Sequence, residues 1–488
     1  MAPKGGKWYS YALRENAFGV ATQLATFVAG VAFTIIFPNL LGMADFGKLS
    51  LVLAVAHISV ALASLGMTGA LLRFIPVGLK QGNSGGYFRH LLLIQLGLGL
   101  LLSAGLFLGA DTIASLLFSL PEIAGGLRLA SLFVFFASMF TFADSTLVSL
   151  KRTGISLGTN SIYQISRVVI PIALYAWLGD YAWVVVGMAI AYVIPLQISV
   201  FFLGRENGLS QFGKKAVDRG AVWSYLAFGG VGMIAGLLTQ WSDTLIVGAF
   251  APPEGVALYR VAWLWATSVV FLMPFSARIM AAMHAYESAE RSRKALEVSL
   301  RYAFLFSFLI IAGTISVADR FLLIAYGESY SAAYPILVAF SIVVIEITLT
   351  GIISPFLTGK GDARTPALLN MGHALLLAGL AYLAASMGLG LVWIAAGASV
   401  ARVLGGLAVT AVALRRIRLV LPASYALKPA FSALVSTSLV LFVSGYAGAG
   451  ILQAFALGVL AVVSFLAVSF AIGGLDIKEL RKIAKAVA

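Results

Sequence analysis

Apolar runs long enough to cross a bilayer recur from one end of this chain to the other, and that recurrence decides what it can fold into. A hydrocarbon core of about 30 Å needs roughly 20 apolar residues in a helix. Inside it every backbone N–H and C=O must be satisfied within the segment, so such a chain folds as a bundle of helices. We read fourteen runs, at 16–40, 49–72, 90–109, 126–148, 156–178, 182–203, 222–248, 256–277, 301–318, 333–357, 366–387, 389–412, 429–446 and 450–472. With 61% of its residues hydrophobic and 11% charged, the chain lacks the polar surface a soluble protein of this length needs. The expected fold class is all-α, a polytopic membrane protein of about 14 transmembrane helices. Met1–Ser10 lacks an apolar core followed by a small-residue cleavage site, so the first run is expected to serve as its own insertion signal.

Basic residues orient such a bundle, because they stay in cytoplasmic loops. Placing the N-terminus inside puts 27 of the 33 lysines and arginines on the cytoplasmic side. Lys48, Arg128 and Arg320 then fall outside, and Arg167, Arg260 and Arg402 fall within runs. Both termini are therefore expected in the cytoplasm, with the protein in the cell (inner) membrane. The net charge of +14 follows from the same bias, and there is no basic soluble domain to hold nucleic acid. Without cysteine there is no thiolate chemistry, and His57, His90, His284 and His373 lie scattered, without metal-ligand spacing. No nucleotide-binding Gly-rich loop occurs either. We expect no catalytic residue, no metal and no cofactor, the coupling ions to consider being H+ and Na+.

Two stretches share one grammar. Ile36–Ala54 (IFPNLLGMADFGKLSLVLA) and Trp241–Arg260 (WSDTLIVGAFAPPEGVALYR) each carry an apolar helix end, a glycine (Gly42, Gly248), a short turn, a second glycine (Gly47, Gly255) and another apolar helix. The copies lie 206–208 residues apart and follow runs one and seven. Six runs separate them, an even number, so both copies insert the same way up, as a parallel repeat. The expected division is an N-lobe at 1–204, a cytoplasmic linker at 205–221, a C-lobe at 222–414, two added runs within 415–473 and a tail at 474–488. In that tail Leu475, Ile477, Leu480, Ile483 and Val487 alternate with Lys478, Arg481, Lys482 and Lys485, the pattern of a basic amphipathic helix on the inner leaflet.

Three stretches carry a family resemblance: Leu41–Leu49 (LGMADFGKL), Leu65–Ile75 (LGMTGALLRFI) and Asp243–Tyr259 (DTLIVGAFAPPEGVALY). In order and position they resemble the turn after span one, the end of span two and the turn after span seven in the polysaccharide-flippase branch of the multidrug/oligosaccharidyl-lipid/polysaccharide exporter superfamily. Met67 stands where that branch usually has Leu, Ala257-Leu258-Tyr259 replaces G-x-Y, and Ala251-Pro252-Pro253-Glu254 stiffens the turn. The resemblance covers essentially the whole chain. It implies two six-helix lobes plus two further helices, working by alternating access. It implies transfer of a polyprenyl-(di)phosphate-linked oligosaccharide from the cytoplasmic to the outer leaflet. The implied partners are that lipid-linked oligosaccharide, membrane lipids, and a glycan polymerase or glycosyltransferase of the same pathway. Two rivals are a cation-coupled multidrug antiporter of the same superfamily and a membrane polysaccharide polymerase or ligase. The second needs a large outer loop, and the longest outer segment, 110–125, has sixteen residues.

A charge deep in a span costs at least about 2.5–3.5 kcal/mol, so each needs a partner or a wet cavity. A pyrophosphate headgroup calls for fixed cations, and a guanidinium binds it bidentately without ever deprotonating. Candidate cavity cations are Arg260, Arg167 and Arg402, with Lys48 and Arg73 at the rims. Asp243 either pairs with Arg260 to pin a helical hairpin or serves as a gate. An Asp144–Arg167 pair is the plain alternative for Arg167, and Glu346 and Arg402 can meet across helices. Glu346, then Asp144, are the coupling candidates. Gln23, Gln95 and Gln240 either contact sugar hydroxyls or, more simply, bridge helices. Gly232-x-x-x-Gly236 suits close helix approach, and Pro171, Pro195 and Pro274 free backbone carbonyls inside runs.

Overall fold

The computed structural model describes residues 7–210, 217–268, 289–359, 364–446, 448 and 450–475, and these are helical with short connections and no strand. The linker segment 211–216, Pro274 and the tail from 476 onward lie outside the described residues, as does the side chain of Gln23. The helices are α1 (Lys7–Ala63), α2 (Met67–Gln81), α3 (Ser84–Thr112), α4 (Ala124–Ser149), α5 (Thr153–Leu178), α6 (Tyr181–Ile190), α7 (Val193–Gly204) and α8 (Arg219–Phe250). They continue with α9 (Pro253–Ser268), α10 (Ala289–Tyr326), α11 (Tyr334–Ser341), α12 (Val343–Gly359), α13 (Arg364–Ser386), α14 (Leu391–Ile417), α15 (Ser424–Ser444) and α16 (Ile451–Ala471).

Among the described residues, eleven helical stretches are long and apolar enough to cross a membrane, and the bent pair Glu328–Ser341 and Val343–Ser354 makes a twelfth. One of these, Thr26–Gln81, has 56 residues. At about 1.5 Å per residue it is more than twice as long as the hydrocarbon is thick. It crosses twice, because Gly42 at φ 74° and ψ 174° breaks α1. Only glycine takes that backbone cheaply. Counted as two, Thr26–Gln81 brings the candidates among the described residues to thirteen, and the run read at 256–277 extends beyond the described residues. Outward faces carry bare apolar side chains such as Leu108, Trp177 and Phe455, the surface a lipid-facing helix presents.

Turn chemistry accounts for the joints. Gly179, at φ 71°, ends α5, and the next residue, Asp180, caps α6 by accepting from the Ala182 N–H. Span six is broken at Ala191–Tyr192, between α6 and α7. Pro195 has no N–H to offer the Ala191 carbonyl, which is what the sequence predicts for it. Pro171 leaves α5 continuous, and its flat ring lets α6 come close: a Cβ on Gly187 would stand 2.5 Å from the Pro171 Cα.

The chain forms two compact units, Met1–Ala257 and Leu258–Ala488. In the first, α4 packs against α1, α3 and α6, over a core that includes Met67, Leu71, Phe142 and Leu226. In the second, α14 packs against α12 and α13 and α10 against α15, over a core that includes Leu300, Leu349, Phe356 and Val409.

Within the first unit α8 runs antiparallel along the second half of α1 and the start of α2. Leu51 meets Gly248, His57 stacks on Trp241 with centroids 5.1 Å apart, and Gly66 meets Gly229. A Cβ on Gly229 would stand 3.1 Å from the Gly66 Cα, so the backbones touch. At one end of this seam the two copies of the duplicated turn meet: a Cβ on Gly47 would lie 1.8 Å from the Pro253 carbonyl oxygen. Gly47 has no room for a side chain because the backbone of the other copy fills its space. The Gly232-x-x-x-Gly236 expectation fails. Both glycines face open space, and the close approach falls to Gly229 and Gly230 one turn earlier.

Candidate functional site: charged side chains within the bundle

Arg167 sits midway along α5, opposite Gly30 of α1, whose absent side chain leaves a guanidinium nitrogen 3.9 Å from the ideal Cβ position. Its guanidinium carbon lies 5.8 Å from the ring centre of Tyr163, one turn back on the same helix. Tyr163 stacks on Tyr192 at 4.2 Å and 19°, and Tyr192 packs on Phe133 and Phe140. The Arg167 Nε is buried and makes no hydrogen bond. The expected pair with Asp144 does not form. Asp144 instead accepts from the Ser156 hydroxyl at 2.6 Å and the Asn160 amide at 2.9 Å. Both donors lie nearer the start of α5, level with Asp144, whereas Arg167 lies about two turns further on. Among the described residues, then, the Arg167 guanidinium has an aromatic face beside it and no carboxylate.

The second unit holds a contrasting cluster. Arg402 on α14 is 1% exposed, and its guanidinium carbon lies 4.1 Å from the ring centre of Trp263 on α9. Glu346 on α12 and His373 on α13 are buried as well, and the Arg402 charge acts on both. The Thr350 hydroxyl donates to Glu346 at 3.2 Å. The structure thus brings Glu346 and Arg402 together, as the sequence allows, with Arg402 resting on an aromatic ring. Sequence reasoning set His373 aside with the scattered histidines and passed over Trp263 entirely. The only signal for His373 is the glycine pair Gly405-Gly406 on another helix, whose role depends on register.

The remaining candidates have other company. Lys48 pairs with Asp45 at 3.5 Å and with Glu122 at 3.2 Å, tying α1 to the segment before α4. Arg73 lies over Tyr225 at 5.0 Å and Phe74 at 5.5 Å, at the opposite end of the seam from Lys48. Asp243 is buried in the first unit and accepts from the Thr244 N–H at 2.8 Å. Arg260, half-buried, belongs to the second unit. One helix position before it, Tyr259 is fully buried edge-on to Phe340 at 5.0 Å. Gln95 bridges helices, donating to the Ala63 carbonyl at 3.2 Å, and Gln240 is exposed.

A polysaccharide biosynthesis protein family profile matches residues 13–277. The teichuronic acid biosynthesis protein TuaB of Bacillus subtilis (strain 168) is 31% identical over 146 residues, 29% of this chain and 30% of that protein. The match thus spans under a third of that relative's length. Among solved structures, a lipid II flippase MurJ in an inward closed conformation superposes with a TM-score of 0.76 at 13% identity, covering 94% of this chain and 98% of that one. An inward-facing multidrug resistance MATE family transporter of the MOP superfamily gives 0.63 at 14% identity, covering 83% and 94%. At these identities the likeness is one of fold.

Proposed function

The chain belongs to the polysaccharide biosynthesis protein family, and from that premise we propose that it is a flippase for a polyprenyl-(di)phosphate-linked saccharide. The cargo passes from the cytoplasmic to the outer leaflet by alternating access between a lobe at 1–204 and a lobe at 222–414. Arg167 is the observation that carries this reading. A cation placed deep in a span persists only with a counter-charge, water or a ligand. Arg167 has no carboxylate partner among the described residues, and its Nε is unmet. A phosphate oxygen is the complementary group, because it accepts two guanidinium N–H bonds at once. Arg73 in the first unit and Arg260 in the second are the further cations we assign to the cargo. A multidrug antiporter calls for an available carboxylate in the first unit, and Asp144 is already held by Ser156 and Asn160. Deleting the gene should make cells accumulate labelled polyprenyl-linked glycan on the inner leaflet while drug sensitivity stays unchanged. A change in drug sensitivity with normal glycan turnover would overturn the assignment.

Both termini lie in the cytoplasm of the cell membrane in this reading. The chain has no cysteine, so single ones report cleanly. In intact cells, cysteines replacing Lys151 or Lys294 should resist an impermeant thiol reagent. Those replacing Asp111, Asp180 or Glu254 should react. A reversal at any of these positions sinks the orientation. We assign coupling to Glu346, a buried carboxylate in the second unit. Glu346→Gln should abolish gradient-driven turnover in vesicles and leave substrate binding intact.

A further inference from the structure

Three helices of the second unit bring a carboxylate, an imidazole and a guanidinium to one level of the membrane. The device is a glycine pair on α14. A Cβ on Gly405 would lie 2.3 Å from the His373 ring, and one on Gly406 would lie 3.1 Å from the Glu346 Cα. Arg402 precedes both glycines by one turn, so it shares their face of α14. Glu346, His373 and Arg402 are 8%, 5% and 1% exposed. The His373 Nε2 is buried and makes no hydrogen bond, and Glu346 has the Thr350 hydroxyl as its neutral donor.

We propose that this cluster is a proton-binding site that excludes sodium, and that binding moves the Arg402 guanidinium between Glu346 and the face of Trp263. The inference rests on the coupling role given above to Glu346 and names the ion it takes. A hard metal cation collects several oxygen ligands. Here there are one carboxylate and one hydroxyl, and no group of three or more His, Asp or Glu residues occurs among the described residues. The guanidinium, charged in either position, repels a second cation, a repulsion that a dry interior strengthens. A proton avoids both obstacles: it bonds to one carboxylate oxygen and converts the anion to a neutral acid. It leaves by breaking that same bond to water on the other side, and nothing is oxidised or reduced.

The two protonation states give Arg402 two resting places. Beside a neutral Glu346 the cation is best placed on an aromatic face, and that is the arrangement in the structure, 4.1 Å from Trp263. Beside an ionised Glu346 the attraction draws it off that ring. The charged group that acts on Glu346 from a neighbouring helix is Arg402 on α14; His373 on α13 lies against the adjacent glycine of α14, and α10 meets α12 through a core that includes Leu300, Ala303 and Phe304. Trp263 lies one turn beyond Arg260 on α9, so movement at the ring reaches a candidate substrate cation directly.

Tryptophan emission of the full chain in lipid nanodiscs tests this without measuring transport. The difference between wild type and Trp263→Phe isolates the Trp263 signal, and Trp263→Tyr serves in its place should the phenylalanine variant fail to fold. That difference should change with pH through one inflection. Glu346→Gln should abolish the inflection, Glu346→Asp should shift it, and exchanging potassium for sodium at fixed pH should leave it unmoved. An inflection that survives Glu346→Gln, or an emission change driven by sodium, overturns the proposal. Flipping in vesicles is read separately. If it ignores a pH gradient while the titration behaves as stated, the coupling role falls and the proton site stands.

Discussion

Arg167→Gln protein should reach the membrane at wild-type abundance and yet lose lipid-linked-glycan flipping by about 10- to 100-fold. The magnitude is that of removing charge-assisted hydrogen bonds worth about 1.5–3 kcal/mol from a bound phosphate, at about 1.4 kcal/mol per factor of ten. Abundance should hold because no carboxylate among the described residues pairs with Arg167, so the substitution strands no partner there. Arg167→Lys should recover flipping in part, since an ammonium supplies the charge without the planar fork. Lys48 makes the contrast. It answers Asp45 and Glu122, so Lys48→Gln should cost some stability and leave flipping per folded molecule intact. Immunoblotted membrane abundance and flipping in reconstituted vesicles separate the two behaviours. Full flipping by Arg167→Gln, or its failure to accumulate, would remove the residue from the substrate path.

The course of the fold was legible because the membrane leaves few options. Apolar run length gives the spans, and the duplicated turn marks where two stretches of backbone meet. Even the join inside Thr26–Gln81 was readable, because Gly42 supplies a backbone conformation that a continuous helix cannot use. Side-chain partners were another matter. Sequence gives the depth of a residue along a helix and says little about which neighbour its face meets. Asp144 was assigned to Arg167 by charge, while two neutral donors at its own depth were already sufficient. Gly232 and Gly236 have the spacing of a contact face, but Gly229 and Gly230 lie opposite Gly66 and Leu65. The spacing says where room exists, and only the neighbouring helix decides where it is used. Glu346 and Arg402 could be anticipated as partners because each carries a cost that the other offsets. A histidine such as His373 need carry no charge and so makes no such demand, and nothing in its own sequence neighbourhood announces the cluster it joins.

Gly47 makes the sharpest test of the paired turns. Its would-be Cβ lies 1.8 Å from the Pro253 carbonyl oxygen and 2.5 Å from the carbonyl carbon. A proline backbone has little freedom to yield, so Gly47→Ala must push the two turns apart. Overpacking of this kind costs about 1–3 kcal/mol, which lowers the population of the joined arrangement by about 5- to 150-fold. Gly248, the first glycine of the other copy, faces side chains instead, Leu51 at 2.2 Å and Phe118 at 3.0 Å. Those ends can rotate away, so Gly248→Ala should do less. Gly97→Ala, with nothing within 4 Å, should do least. If the joined turns are one of the states through which the transporter cycles, flipping should fall in that order. A cysteine at Ala251 should react with an impermeant thiol reagent faster in the same order. A Gly47→Ala protein that flips and labels like wild type would show that the contact between the turns plays no part in the cycle.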